Sequence, residues 1–89
     1  MKRLVIIVSG RVQGVFYRAS TKDQAELLGL KGFVRNEPNG DVYIEAEGDD
    51  FQLGKFLDWC KQGPPRSIVQ KVITEEREVV GFNNFDVRR

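Results

Sequence analysis

The sequence contains no histidine and only one cysteine among its 89 residues. Without histidine, the commonest general base and the Ser-His and Cys-His catalytic pairs are excluded, and most transition-metal sites lose a preferred ligand. The lone Cys60 rules out a disulfide within the chain. An enzyme built from this sequence is therefore expected to work without a strong base and without a metal.

Strong net charge and long apolar runs are also missing. The formal net charge is +1, so no general attraction to nucleic acid or to an acidic membrane is expected. No apolar stretch approaches the roughly 18 residues that a membrane span needs, and no cleavage site follows the first apolar run. We expect one cytoplasmic, monomeric domain over residues 1–89, with no nucleic acid and no membrane among its partners.

The hydrophobic pattern predicts five strands and two helices. In chain order these are a strand at 3–8, a helix from about Tyr17 to Leu28, strands at 31–37 and 42–47, a helix after Asp49 that stops at Gly63-Pro64-Pro65, and strands at 67–77 and 85–88. This order predicts an α+β fold of the ferredoxin-like, split βαβ type, with two helices on one face of an antiparallel sheet. Such a fold hosts many functions and decides none of them.

Two local signals support these boundaries. Asp49 followed by Gln52 is a variant of the capping box that begins a helix. Asn39-Gly40, between two predicted strands, is typical of a hairpin turn in which both residues adopt positive φ angles.

The stretch from Gly10 to Arg18 joins the first strand to the first helix. Gly10 and Gly14 would let the backbone turn tightly and approach a ligand closely. A helix start offers free N–H groups and a partial positive charge, and Arg18 adds a planar cation there. These features favour an oxyanion, above all a phosphate. The alternative is a plain strand-to-helix turn with a solvated arginine.

Asn36 lies near the end of the second strand and is a candidate polar group for the same site. Its alternative role is to cap the turn that follows, because asparagine often bonds to nearby backbone. Whether it approaches the glycine loop depends on the strand order, which periodicity does not reveal.

Two other patterns are weaker. Cys60 and Arg66 have the Cys-x5-Arg spacing of cysteine-dependent phosphatases. However, the cysteine falls on the apolar stripe of a helix near its C-terminus, where the dipole raises a thiol pKa, so we expect a core thiol. The aromatic residues Tyr17, Phe33, Tyr43 and Phe85 could stack on bases, but no RNA-binding motif accompanies them and we expect packing instead.

Taken together, two stretches resemble the signatures of the acylphosphatase family. The first is Gly10-Arg11-Val12-Gln13-Gly14-Val15-Phe16-Tyr17-Arg18, and the second runs from Gly32 to Val42 through Asn36. Gly63-Pro64-Pro65 is similar to a third, weaker mark of the family. The resemblance extends over nearly the whole chain.

The resemblance implies hydrolysis of acyl phosphates to a carboxylate and inorganic phosphate, with no cofactor and no metal. Arg18 would bind the phosphate together with the backbone N–H groups of Gln13, Gly14, Val15, Phe16, Tyr17 and Arg18 itself. Asn36 would orient the attacking water. A carboxylate leaves readily without a general acid, which agrees with the missing histidine. A non-catalytic module that binds phosphate or a phosphorylated metabolite remains the alternative, and the physiological acyl group is not indicated.

Overall fold

A computed structural model describes residues 1–89. Its elements are β1 (Lys2–Arg11), α1 (Tyr17–Leu27), β2 (Lys31–Asn36), β3 (Val42–Gly48), α2 (Asp50–Gln62), β4 (Ile68–Arg77) and β5 (Phe85–Arg88). The predicted βαββαβ order with a short last strand is confirmed. Neither helix is long and apolar enough to cross a membrane.

The five strands form one sheet in the order β4-β1-β3-β2-β5. Because β3 pairs antiparallel with both β1 and β2, those two strands run in the same direction. Their carboxyl ends therefore lie at the same edge of the sheet. This edge holds both the start of the glycine loop and Asn36.

The sheet is mixed, which corrects the expectation of a purely antiparallel one. β5 pairs parallel with β2, and Gly32 lies opposite Phe85. The reason is where the chain leaves β4: Arg77 pairs with Arg3, at the edge where β1 begins. A strand that returns from this edge must run in the direction of β1 and β2.

The core lies between one face of the sheet and the two helices. Buried positions alternate along β3 from Val42 to Ala46, because successive side chains of a strand point to opposite faces. On the helix side, α1 contributes Tyr17, Thr21 and Ala25, and α2 contributes Leu53, Phe56 and Cys60. Hydrophobic burial of this set is the main stabilising term for the fold.

Helix α2 begins with the predicted capping box. The N–H of Gln52 donates to Asp49 Oδ1 at 2.8 Å, and the N–H of Asp49 donates to Gln52 Oε1 at 3.0 Å. Gln52 Nε2 also donates to the carbonyl of Leu28 at 2.8 Å, just beyond the end of α1. One glutamine thus caps α2 and ties the two helices together.

The sheet face away from the helices is covered by aromatic and arginine side chains. The rings of Phe33 and Tyr43 stack with their centroids 6.0 Å apart. The Arg35 guanidinium lies 4.4 Å from the centroid of Tyr43, and that of Arg88 lies 3.9 Å from the centroid of Phe33. Such cation–π contacts explain how these aromatic residues are packed without a second helical layer.

A buried carboxylate holds the connection between β4 and β5. Glu47, on β3, is only 3% exposed. It accepts hydrogen bonds from the N–H groups of Val80 at 2.6 Å, Gly81 at 3.2 Å and Phe82 at 2.9 Å. A buried carboxylate needs such donors in place of water. These bonds fix the path of the chain to β5.

Strand β1 is longer than the pattern predicted and includes Gly10. The register with β4 shifts between Ser9 and Gly10, where Gly10 has φ 127°. A Cβ here would overlap the carbonyl of Ile68. Gly10 is therefore required by a β-bulge and the close approach of β4, and it belongs to β1 instead of the loop that follows.

The turn between β2 and β3 also differs from its prediction. Gly40 has φ 99°, but Asn39 does not adopt a positive φ. The N–H of Gly40 donates to the carbonyl of Glu37 at 3.1 Å, and Asn39 Oδ1 accepts from the N–H of Asp41 at 3.0 Å. This is a longer hairpin loop, in which one left-handed glycine is sufficient.

Candidate active site

The loop between β1 and α1 is fixed from beneath by buried side chains. Val12, Val15 and Tyr17 all belong to the core. The Tyr17 hydroxyl donates to the carbonyl of Cys60 at 2.7 Å, and its ring packs on Trp59 with centroids 5.4 Å apart. The first residue of α1 is thus anchored to the end of α2, which holds the loop above it in one conformation.

The side chain of Gln13 fixes the same loop from the side. Its Nε2 donates to the carbonyls of Glu37 and Asp41, both at 2.8 Å. The loop is thereby joined to the hairpin that follows Asn36. The sequence predicts a role only for the backbone N–H of Gln13, and no local pattern indicates this long-range contact.

The loop backbone leaves its donors available. None of the N–H groups of the residues from Gln13 to Phe16 donates to a backbone carbonyl. Gly14 and Phe16 have φ angles of 73° and 66°. A Cβ on Gly14 would meet nothing within 4 Å, so only its φ favours glycine there. Left-handed residues alternating along a loop are typical of backbone nests that bind anions.

The start of α1 contrasts with that of α2. Phe16 is the N-cap of α1 and makes no side-chain capping bond, and the first turn contains no acidic residue. Arg18 lies in this turn, although a cation is unfavourable near the positive end of a helix dipole. Helix α2, in contrast, begins with Asp49 and Asp50. An anion bound at the start of α1 would compensate its unbalanced charge.

A cleft of about 290 Å³ opens at this helix start. It is lined by Gly14, Phe16, Arg18, Asn36 and Val87, together with Val12, Tyr17 and Ala19. Arg18 Nη1 donates to the carbonyl of Arg88 at 3.1 Å, which orients the guanidinium. No carboxylate pairs with Arg18, so its charge is available to a ligand.

Asn36 lines the same cleft, which the strand order explains. It is the last residue of β2 and lies on the helix side of the sheet, in phase with the buried Val34. Its Oδ1 is buried and has no hydrogen-bond partner. The alternative role as a turn cap is wrong, because Asn39 makes the turn bond instead. A buried amide oxygen without a partner is costly, and it is the kind of group that a bound water satisfies.

Cys60 lies away from this cleft, in the core, as expected. Burial raises the pKa of its thiol to about 12. The dominant cause is the loss of solvent, not the helix dipole invoked from the sequence. No group of three or more acidic, cysteine or histidine side chains is arranged to hold a metal ion.

The fold and the cleft define a class: a ferredoxin-like α+β domain with an anion-receptive loop at the start of its first helix. The acylphosphatase family model matches residues 4–87. The chain is 47% identical over 88 residues to an acylphosphatase of Methanocella arvoryzae, covering 99% of this chain and 100% of that one. It is 50% identical over 76 residues to one of Marinobacter nauticus, covering 85% and 83%. The chain belongs to the acylphosphatase family.

A solved structure leads to the same conclusion. The crystal structure of acylphosphatase from Bacillus subtilis superimposes with a TM-score of 0.97 at 37% sequence identity, and each chain is covered completely. The resemblance stated from the sequence is thereby confirmed, as are the fold and the enzyme class, a hydrolase of the acylphosphatase type.

Proposed function

We propose that the cleft hydrolyses acyl phosphates, with the phosphate held by Arg18 and the loop N–H groups and the water oriented by Asn36. The observation that carries this proposal is that Arg18 and the buried, unpartnered Oδ1 of Asn36 line one cleft with Gly14. Neither residue is engaged by another side chain of the protein.

The phosphate would lie against the start of α1. There the free N–H groups from Gln13 onward, the helix dipole and the planar guanidinium all favour negative charge. In the transition state, negative charge is spread over the three phosphoryl oxygens and develops on the leaving oxygen. Donors that are already in place stabilise that charge without reorganising, which is the largest single contribution in many enzymes.

Asn36 Oδ1 would accept a hydrogen bond from the attacking water. The water oxygen forms a bond to phosphorus while the bond between phosphorus and the acyl oxygen breaks. The leaving group departs as a carboxylate, and the water proton passes to a phosphate oxygen. Positioning and charge stabilisation are sufficient for this phosphoryl transfer, so no histidine, acid or metal is needed.

The proposal also treats residues 1–89 as one catalytic unit, since the family model extends from residue 4 to residue 87. An acyl phosphate and water are the only substrates that it requires, and a carboxylate and inorganic phosphate are the products. A monomeric, cytoplasmic enzyme independent of metals remains our expectation. Gel filtration and assays in the presence of a chelator would test the first and last of these.

The test is hydrolysis of benzoyl phosphate, followed by the fall in ultraviolet absorbance, for the wild type, Arg18→Ala and Asn36→Ala. Removing one electrostatic donor typically lowers the rate by about 10²–10³-fold. We expect Arg18→Ala to lower kcat and to weaken competitive inhibition by inorganic phosphate. Asn36→Ala should lower kcat with little effect on that inhibition, because it acts on the water.

Two surface variants serve as controls, one for the loss of an arginine charge and one for the loss of an asparagine amide. Arg66→Ala and Asn83→Ala remove exposed side chains of the same types, and both should keep the wild-type rate. If Asn36→Ala instead weakens phosphate inhibition at an unchanged kcat, the water-orienting role is wrong. If the wild type binds phosphate and hydrolyses nothing, the non-catalytic binding module replaces the proposal.

A further inference from the structure

We propose that Phe16 and Val87 form a subsite for the acyl group, which selects aromatic and other apolar acyl phosphates over small or cationic ones. This inference rests on the function proposed above and goes further, because it names the substrate class. The pair frames the cleft from two elements: Phe16 caps α1 and Val87 lies on β5.

Phe16 combines two features that folding alone does not favour. It is the only residue other than glycine with a positive φ, and its side chain is 71% exposed. Its ring joins none of the aromatic pairs and faces no cation. Strained backbone persists where the surroundings determine it, and it clusters at sites that handle ligands. The ring therefore contributes little to packing but borders the cleft.

Val87 provides the second apolar surface. It is 41% exposed and lines the cleft together with Phe16 and Ala19. It pairs with Val34 across the β2–β5 ladder, so its backbone is fixed next to the strand that carries Asn36. The cleft thus combines polar groups for an anion with an apolar surface contributed by two different elements.

An acyl phosphate likewise combines an anionic part and an acyl part, which can be apolar, in one small molecule. Its dianionic phosphate and its acyl carbon share a single bridging oxygen, so an acyl group must lie within a few bonds of the loop N–H groups. Phe16 is only two residues from Arg18. A ring or chain on the acyl group would cover Phe16 and Val87, and removing that surface from water favours binding.

The lining also lacks a group that would favour a charged acyl chain. Arg18 is the only charged residue among the lining residues. No carboxylate is present to pair with an ammonium group on the substrate, so such a substrate would lose hydration without compensation. A small acetyl group would leave most of the apolar surface uncovered.

The experiment compares two substrates and two analogues across three variants. Benzoyl and acetyl phosphate report kcat/KM, while benzoylphosphonate and acetylphosphonate, which cannot be hydrolysed at the anhydride, report binding by calorimetry. Phe16→Asn removes the ring and keeps a residue that tolerates positive φ. Val87→Thr keeps the branched shape on β5. Phe51→Asn is the control, because Phe51 is 74% exposed on α2 and does not line the cleft.

We expect the wild type to favour the benzoyl compound in both readouts. The benzoyl-to-acetyl ratio of kcat/KM should fall roughly tenfold in Phe16→Asn and by less in Val87→Thr. Apolar pockets discriminate between substrates that differ by one methylene group to about this extent. The change should appear in KM and in phosphonate affinity more than in kcat, because the contact is present before and during reaction. Phe51→Asn should keep the wild-type ratio.

A ratio that stays at the wild-type value in both cleft variants overturns the subsite, as does a wild type that binds acetylphosphonate more tightly than benzoylphosphonate. Comparing ratios cancels the different intrinsic reactivities of the two anhydrides. The outcome is distinct from failure of the proposed function, which would appear as no hydrolysis of either substrate while the phosphonates still bind. Should Phe16→Asn not fold, Val87→Thr tests the subsite from an independent element.

Discussion

The side-chain Nε2 of Gln13 lies 2.8 Å from the carbonyl oxygen of Glu37 and donates a hydrogen bond to it. Gln13 belongs to the loop proposed to hold the phosphate, and Glu37 directly follows Asn36, proposed to hold the water. The two halves of the site come from parts of the sheet that are not neighbours, since β3 separates β1 from β2. This bond is a direct link between them.

Replacing Gln13 should therefore disturb the alignment of water and phosphate. We expect Gln13→Ala to lower kcat about tenfold or more, because a misplacement of 1 Å in a reacting pair can reduce the rate by up to about 10²-fold. Gln13→Glu should be worse, since its carboxylate cannot donate and would also repel the two carbonyl oxygens and the phosphate. Gln70→Ala, at an exposed glutamine on β4, is the control. An unchanged kcat in Gln13→Ala would show that the link does not matter for catalysis.

Tyr17→Phe should destabilise the protein by about 1–2 kcal/mol. The substitution keeps the buried ring but leaves the carbonyl of Cys60 without its donor, and an unsatisfied buried acceptor costs about that much. Urea unfolding followed by circular dichroism measures the difference. Tyr43→Phe is the comparison, because its hydroxyl bond to Glu45 is only partly buried and should cost less. Equal effects in the two variants would contradict the importance of the buried bond.

Stability should fall in alkaline solution because of Cys60 and Tyr17. Burial raises the pKa of the Cys60 thiol from its ordinary value near 9 to about 12, and burial also raises the pKa of Tyr17. Above pH 9 the unfolded thiol loses its proton while the folded one keeps it. The stabilisation is therefore complete below about pH 9 and is lost as the pH rises towards 12, at up to about 1.4 kcal/mol per pH unit for one group.

Urea unfolding at several pH values tests this expectation. The free energy of unfolding of the wild type should decline more steeply between pH 9 and 11 than that of Cys60→Ala, with pH 7 as the reference for each. Since lysines titrate in both proteins, only the difference between the two slopes is informative. Parallel curves for the two proteins would contradict the assignment to Cys60.

Gly10 in β1 and Gly14 in the loop should separate stability from activity. Gly10→Ala places a Cβ against the Ile68 carbonyl and should cost more than about 2 kcal/mol of stability. Gly14→Ala meets no atom and should cost about 1 kcal/mol for its φ of 73°. Its effect on kcat/KM should be larger than that of Gly10→Ala, measured on the folded fraction of each. The reverse pattern would contradict the roles assigned to the two glycines.

Elements whose signals lie within a few residues could be predicted from the sequence. The capping box of Asp49 and Gln52 and the apolar stripe of α2 are of this kind. The neighbourhood of Asn36 could not be predicted, because it depends on which strand lies beside which. The parallel pairing of β5 follows from where β4 ends, and this too depends on the whole sheet. The resemblance to the family signatures predicts that both Arg18 and Asn36 belong to the site. Their roles are part of the proposed function.

The structural features that the sequence does not predict share a physical cause, which is their dependence on distant parts of the chain or on backbone strain. The bonds of Gln13 and Glu47 join groups that lie 24 and more residues apart, and side-chain chemistry alone does not indicate the partner. The positive φ of Phe16 is unfavourable for any residue with a Cβ, so propensity predicts against it. The sequence does not indicate the bulge at Gly10, because the context of this residue does not reveal the neighbouring strand.

The bonds to Glu47 have a consequence for deuterium labelling. The segment from Val80 to Phe82 belongs to no helix or strand, and such segments usually exchange their amide protons quickly. Here each amide is held by one buried carboxylate, so exchange requires β5 and its connection to detach from the sheet. These three amides should therefore become labelled together, about as slowly as the paired strands, and their common rate would measure how often the last strand opens.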